Sequence, residues 1–405
     1  MGVRVNSALW KAVTLASLFA VGGCASAPAG GTSPPLRAAG AQAPWRQPAA
    51  TPYAAHVRRA CDISPDPDVV HCDALVRTDA VGGRLAGYSP LKLQDAYDLP
   101  SETNGSGQTV ALVDAFDDRD AESDLGVYRS HYGLPACTTS NGCFRKVNEM
   151  GQQGPYPKDN AGWAFEESID LDMVSAICPN CHIILVEANS AALADVGTSV
   201  DTAVQLGANA ISNSYGGGGN SGEQYYDHPG VIITASAGDN GYGVGIPAGF
   251  PTVVSVGGTS LSRAKHTSRR WTETAWTGTG SGCEKKFAKP AWQTDTGCKG
   301  RTMNDVAAVA DPNTGVAVYD TERGAGGWNL AGGTSVSSPI VAAAYALAGN
   351  ESLLDAAQSL YVPGASLWDI TSGSDGTCSP AYLCTAGTGY DGPTGNGTPN
   401  GVGAF

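Results

Sequence analysis

The chain has 405 residues, 38 of them acidic and 24 basic, for a formal charge of −14. That balance argues against nucleic acid and anionic lipid surfaces as partners, since both repel it. Charged residues are only 15% of the total while glycine supplies 54, which suggests a loop-rich extracellular chain. The length permits two ordinary domains, though one large α/β domain would also use most of it.

Residues 1–23 read as a signal peptide. Arg4 and Lys11 flank the start of the apolar run AVTLASLFAVGG, which is too short to span a bilayer as a mature helix. The run ends in VGGC, which resembles the lipobox of bacterial lipoproteins. That implies cleavage before Cys24 and a lipid anchor on its sulfur, with a plain secretory cleavage as the alternative. Both readings export the chain, to the extracellular space or the cell envelope. Residues 24–55 are rich in Ala and Pro and read as a tether. Residues 56–86 carry two cysteines and read as a short pro-segment or linker. Beyond them, strands are expected at 109–114, 182–187, 209–214, 231–236 and 252–256. Helices are expected near 119–131, 162–177, 191–206 and 335–348. The alternation predicts an α/β fold, doubly wound, with a mostly parallel sheet and helices on both faces.

In GWAFEESIDLDMVSAICP (162–179), Phe165, Ile169, Met173 and Ile177 define an apolar helical stripe. Glu166 and Asp170, four apart, share a neighbouring face. They form either a solvated acidic face or a carboxylate pair sharing a proton, which raises one pKa for acid–base work. VIITASAGDNGYG gives a buried strand with Asp239 just past its carboxyl end, where α/β sheets bind ligands. Taken alone, that Asp is a turn residue. In LAGGTSVSSPIVAAAYALAG (330–349), Gly332 and Gly333 turn the chain and deliver Ser335 to a helix start, with Pro339 in the opening turn. Ser335 is then a nucleophile or merely an N-cap. A second GGTS, at Gly257–Ser260, leads into no helix, so context favours Ser335. A subtilisin-like serine needs a histidine in a His-Gly setting. None of His56, His71, His131, His182, His228 and His266 precedes glycine, and the first two are read as lying ahead of the domain. Three acids beside the GGTS turn are unlikely company by chance, and together they favour a functional site.

This joint motif set resembles that of the sedolisins, serine-carboxyl peptidases that build a Ser-Glu-Asp triad on a subtilisin-like fold. The resemblance covers residues 87–405 and implies an exported acid endopeptidase acting on protein or peptide substrates. Ser335 would be the nucleophile, Glu166 the general base, Asp170 its support, and Asp239 a protonated oxyanion donor. Ser214, Tyr215 and Gly216 match the edge on which such enzymes lay the substrate backbone. Asp114 falls where some members carry a further acid against the catalytic Glu; otherwise it belongs to an acidic lead-in with Asp117, Asp118, Asp120 and Glu122. One Ca2+ ion is implied at Asp369, Ile370, Gly387, Gly389 and Asp391, a set of carboxylates and carbonyls that suits a hard cation. Many sedolisins carry a large folded prodomain, and the stretch ahead of residue 87 is too short for one. A short pro-peptide, or another folding route, is expected instead. The competing reading is a catalytically silent peptide-binding surface lipoprotein on the same fold.

Cysteine usage agrees with export. With Cys24 set aside, ten cysteines fall into near neighbours: Cys61/Cys72, Cys137/Cys143, Cys178/Cys181, Cys283/Cys298 and Cys378/Cys384. The CPNC at 178–181 has no second CxxC to make a zinc site, so a structural disulfide is expected. A monomer is expected.

Overall fold

The computed structural model describes residue 2 and residues 56–79, 87–322 and 326–405. The signal-like segment, Cys24 and the tether lie outside them. In chain order the first elements are strands β1 (Val57–Arg59), β2 (His71–Cys72) and β3 (Leu75–Arg77), then helix α1 (Pro90–Tyr97). Strand β4 (Thr109–Ala115), helix α2 (Ala121–Tyr132), β5 (Phe144–Asn148), helix α3 (Ala161–Ile177), β6 (His182–Ala188) and helix α4 (Leu193–Gln205) follow. Next come β7 (Ala210–Asn213), β8 (Tyr215–Gly216), β9 (Ile232–Ser236), β10 (Val254–Arg263) and β11 (Trp271–Ala275). Then come β12 (Cys283–Ala288), β13 (Gly300–Thr302), β14 (Val306–Val309), β15 (Val316–Asp320), β16 (Gly327–Gly332), helix α5 (Thr334–Ala348) and the short pair β17 (Leu367–Trp368) and β18 (Thr398–Pro399).

The main sheet runs β11-β10-β9-β7-β4-β6-β5, with β14 also on β10. Every pairing in it is parallel except β10 with β11. Runs such as VALV (110–113) and IILV (183–186) are buried throughout, as strands covered on both faces must be. Helices α3 and α5 pack on one another and are buried around almost their whole girth, which explains why both are so apolar. Their burial makes any polar side chain they carry conspicuous.

The expected helices and parallel strands are present. Strand β5 was not expected, because FRKVN alternates poorly, and neither was the antiparallel pair β15–β16. The second GGTS lies inside β10, which continues to Arg263. Residues 56–79 are built into the domain. Strands β1 and β3 extend the sheet of β16 and β15, and β2 pairs antiparallel with β8. Val70, Cys72, Ala74, Leu75 and Val76 are buried, so this stretch adds core. His71 accordingly sits within the domain and not ahead of it. All five neighbour pairs of cysteines are disulfides. Among the described residues no helix is long and apolar enough to cross a membrane.

Candidate active site

Three elements converge where α3, α5 and the carboxyl end of β9 meet. Helix α3 begins at Asn160, whose side chain caps the N–H groups of Gly162 and Trp163. From there the helix runs inward and carries Glu166 and Asp170 to full burial. Helix α5 follows Gly333, held at φ 97°, and presents Ser335 in its first turn. The Ser335 hydroxyl donates to Glu166 Oε2 at 2.7 Å, with the Ser214 carbonyl oxygen at 3.1 Å. Past β9, Asp239 accepts on Oδ1 from the Thr334 N–H (2.8 Å) and hydroxyl (3.0 Å).

The positive φ at Gly333 admits glycine readily, and the space admits little else. A Cβ there would lie 2.1 Å from the Asp73 carbonyl oxygen and 2.5 Å from Asp239 Oδ2. Gly333→Ala is expected to destabilise the fold by about 2 kcal/mol or more, from strain and overlap together. Thermal unfolding of the variant checks this.

Asp170 Oδ1 accepts from the Ser214 hydroxyl at 2.7 Å. Asp114, at the end of β4, is fully buried, and among the described residues neither of its oxygens has a hydrogen-bond donor. The same holds for Glu166 Oε1 and Asp170 Oδ2. Burial, then the charges of Asp170 and Asp114, push the Glu166 carboxyl well above the usual range. Burial and then Asp114 do the same to Asp170, and burial lifts Asp114 to about 8. Three acids that raise one another can retain protons and hydrogen-bond through them, which would satisfy those bare oxygens. Burial also pushes Asp239 up to about 6, against the opposing effects of Arg59 and the Thr334 donors.

The edge expected to receive a substrate backbone is formed by Ser214 and strand β8. Ser214 and Gly216 offer main chain, and β8 is paired. The Tyr215 side chain, however, points inward. It is fully buried, with its hydroxyl on Asn213 Oδ1 (2.7 Å) and Tyr226 (3.1 Å), so only its backbone faces the cleft.

Sequence reading missed Arg59 and Asp73. The Arg59 guanidinium donates to the Asp239 carbonyl oxygen (3.1 Å) and to Asn240 Oδ1 (2.6 Å). Asp73 is fully buried, its N–H donates to the Ser214 carbonyl (3.1 Å), and its own carbonyl accepts from the Ser335 N–H (3.2 Å). Its carboxylate accepts from the Ser236 hydroxyl at 2.8 Å. The signal available was the close spacing of Cys61 and Cys72, followed directly by the apolar run Ala74-Leu75-Val76.

Residues 369–395 form a separate loop cluster. Asp369 Oδ2 accepts from the Gly389 N–H (3.0 Å) and Asp391 Oδ2 from the Gly387 N–H (2.9 Å). Asp391 Oδ1 takes both the N–H and the hydroxyl of Thr394. Ile370 is buried beside Asp369. Among the described residues no group of three or more His, Cys, Asp or Glu is placed to hold a metal.

Against known proteins, the subtilase family model matches residues 158–357. Kumamolisin of Bacillus sp. (strain MN-32) is 29% identical over 78% of this chain and 62% of its own length. Sedolisin of Pseudomonas sp. (strain 101) is 25% identical over 78% of this chain and 60% of its own. The chain thus spans about three fifths of the length of these curated relatives. Among solved structures, Pseudomonas sedolisin, a serine-carboxyl proteinase complexed with two molecules of pseudo-iodotyrostatin, superposes with a TM-score of 0.66 at 24% identity. That likeness covers 78% of this chain and 96% of the other, and it carries the fold. With the curated relatives and the family match pointing the same way, the chain is similar to the sedolisins and has their subtilisin-like fold.

Proposed function

We propose that the chain is an acid-acting serine-carboxyl endopeptidase that cleaves protein or peptide substrates through an acyl-enzyme on Ser335. The observation that carries this reading is the 2.7 Å hydrogen bond from the Ser335 hydroxyl to a fully buried carboxylate. Glu166 takes the Ser335 proton as Oγ attacks the carbonyl carbon, then returns it to the leaving amine. Asp170 and Asp114 hold the protons of the coupled set, which leaves Glu166 as the ionised member that accepts from Ser335. The Ser335 N–H and a protonated Asp239 donate to the developing oxyanion. A peptide-binding protein that had lost catalysis would have no use for so costly an arrangement of buried acids, so the silent alternative is not favoured.

The pH dependence follows from Asp239. Its neutral form donates, and that form is lost as pH rises through about 6. Hydrolysis is therefore expected to fall with a limb near that pH, and Asp239→Ala should lower kcat by about 10²–10³. The test is digestion of a peptide library at pH 4, read by mass spectrometry, with Ser335→Ala as the control. Activity surviving in that variant would remove Ser335 from the mechanism.

The loop at 369–395 fits one structural Ca2+ ion. Asp369 and Asp391 are turned by neighbouring glycine N–H groups, and the carbonyls of Ile370, Gly387 and Gly389 are the further oxygens such an ion would need. A bound ion would pin that loop. Chelation is expected to lower the melting temperature by several degrees, and added Ca2+ to restore it; Asp391→Asn should abolish both effects. Export by the signal-like segment, with a lipid anchor at Cys24, is proposed on the sequence alone.

A further inference from the structure

The path of residues 56–79 has a direction that an enzyme cleft gives meaning to. Strand β2 lies antiparallel on β8, with His71 opposite Gly216 and Cys72 opposite Tyr215. The Asp73 N–H then bonds to Ser214, and its carbonyl oxygen sits on the Ser335 N–H. Beyond the Asp73–Ala74 bond, Leu75 and Val76 pair with Gly332 and Ala331 of β16. One extended chain therefore crosses the nucleophile with main-chain bonds on both sides, as a bound peptide adds a strand to an edge. We infer that this stretch is the chain's own substrate-like occupant, that Asp73–Ala74 is its scissile bond, and that the pocket walled by Ser236 and Gly216 selects a short acidic side chain ahead of the cut. The inference rests on the peptidase reading and names the substrate class for that same site.

The pocket supports the choice. The Asp73 carboxylate is fully buried, accepts from Ser236, and has Oδ2 3.3 Å from where a Cβ on Gly216 would stand, so a bulkier wall residue would close on it. The titratable and charged groups facing it are Asp239, Arg59, Glu166 and His71, the last 3.9 Å from Oδ1. Burial first, then Asp239, pushes the Asp73 carboxyl well up against the opposing effects of Ser236 and Arg59. In acid it sits there neutral, beside an Asp239 that is also neutral.

The stretch is braced from behind. Strand β1 pairs with β3, the Ala60 N–H bonds to the Ala74 carbonyl (3.0 Å), and Arg59 holds the Asp239 loop. The Cys61–Cys72 disulfide ties the residue before Asp73 to the end of that brace. Preorganisation of this kind strengthens binding of the uncut stretch. Cleavage proceeds as for any substrate. Oγ of Ser335 attacks the Asp73 carbonyl carbon and its proton passes to Glu166. The C–N bond breaks as Glu166 protonates the Ala74 nitrogen, and water hydrolyses the ester to leave an Asp73 α-carboxylate. The amino-side piece keeps both Cys61 and Cys72, so it can depart as one disulfide-closed unit, while Ala74 onward stays on β16.

The experiment uses the full chain. Purified protein is brought to pH 4, and its mass, its new N-termini and its hydrolysis of three peptides that differ only in Asp, Phe or Lys before the cut are followed together. The expected result is a new N-terminus at Ala74, absent in Ser335→Ala, a rise in peptide hydrolysis of at least tenfold with its appearance, and at least tenfold faster cutting after Asp than after Phe or Lys. Asp73→Lys should slow the 73–74 cut at least tenfold. A fully active enzyme with the 73–74 bond intact, or peptides cut without preference for Asp, would overturn this inference and leave the peptidase reading standing. If no peptide of any sequence is cut, the peptidase reading falls and takes the inference with it.

Discussion

Replacing Glu166 by Gln is expected to lower peptide hydrolysis at pH 4 by at least about a thousandfold, the order associated with losing a general base. The amide has the carboxylate's shape but cannot take the proton that Ser335 now donates to Oε2. A merely structural role for Glu166 predicts a different pattern, with stability falling and activity per folded molecule surviving. The buried setting argues the reverse. Glu166 is crowded by Asp170 and Asp114, and burial already disfavours its charge. Removing that charge should leave the melting temperature at pH 7 unchanged or raised, as is common when functional groups under electrostatic strain are neutralised. Unfolding curves and kcat, measured on the same preparations, separate the two cases.

The second large effect concerns stability and pH. Asp114, Asp118 and Glu187 are pushed up to about 8, Asp320 to about 7 and Asp239 to about 6, each mainly by burial. In the unfolded chain these groups titrate near 4. Between that pH and their folded values the native state binds more protons, so stability falls as pH rises. Their contribution is complete below about 4 and is lost as pH climbs through 6 to 8. His71 works the other way. Burial and then Arg59 lower it to about 4, so it favours the fold more as pH rises from 4 to its unfolded value. One histidine opposes many acids. The melting temperature of Ser335→Ala, at constant Ca2+, should fall by about 4 °C between pH 5 and pH 8, which corresponds to roughly 3 kcal/mol. A rising curve over that range would contradict the protonated core.

Much of the site was legible because the chain states it in local motifs. Glycines before Ser335, four-residue spacing of Glu166 and Asp170 beside an apolar stripe, and an acid after a buried strand are each short-range features. The disulfides were legible for the same reason, their partners being near in sequence. What stayed hidden depended on distant pairing. Nothing in HCDALVR announces that Cys72 will lie on Tyr215 or that Leu75 will lie on Gly332, since both contacts join residues far apart in the chain. The direction of the Tyr215 side chain was not legible, because a strand edge is marked by its main chain while this ring turns into the core toward Tyr226. A period-two pattern was also too weak in FRKVN to mark β5, whose Lys146 turns to the buried acid Glu187 at 2.7 Å.

The claim on which the rest depends is that carboxylic acids, without an imidazole, activate Ser335. Its most direct test is the pH profile of kcat/KM on a peptide substrate. The site described here predicts full activity near pH 4 and a decline as pH rises through about 6, where Asp239 loses its proton. An enzyme that is silent at pH 4 and gains activity through pH 6 to a plateau near 8 would be running on a histidine, and the carboxylate mechanism would have to be given up.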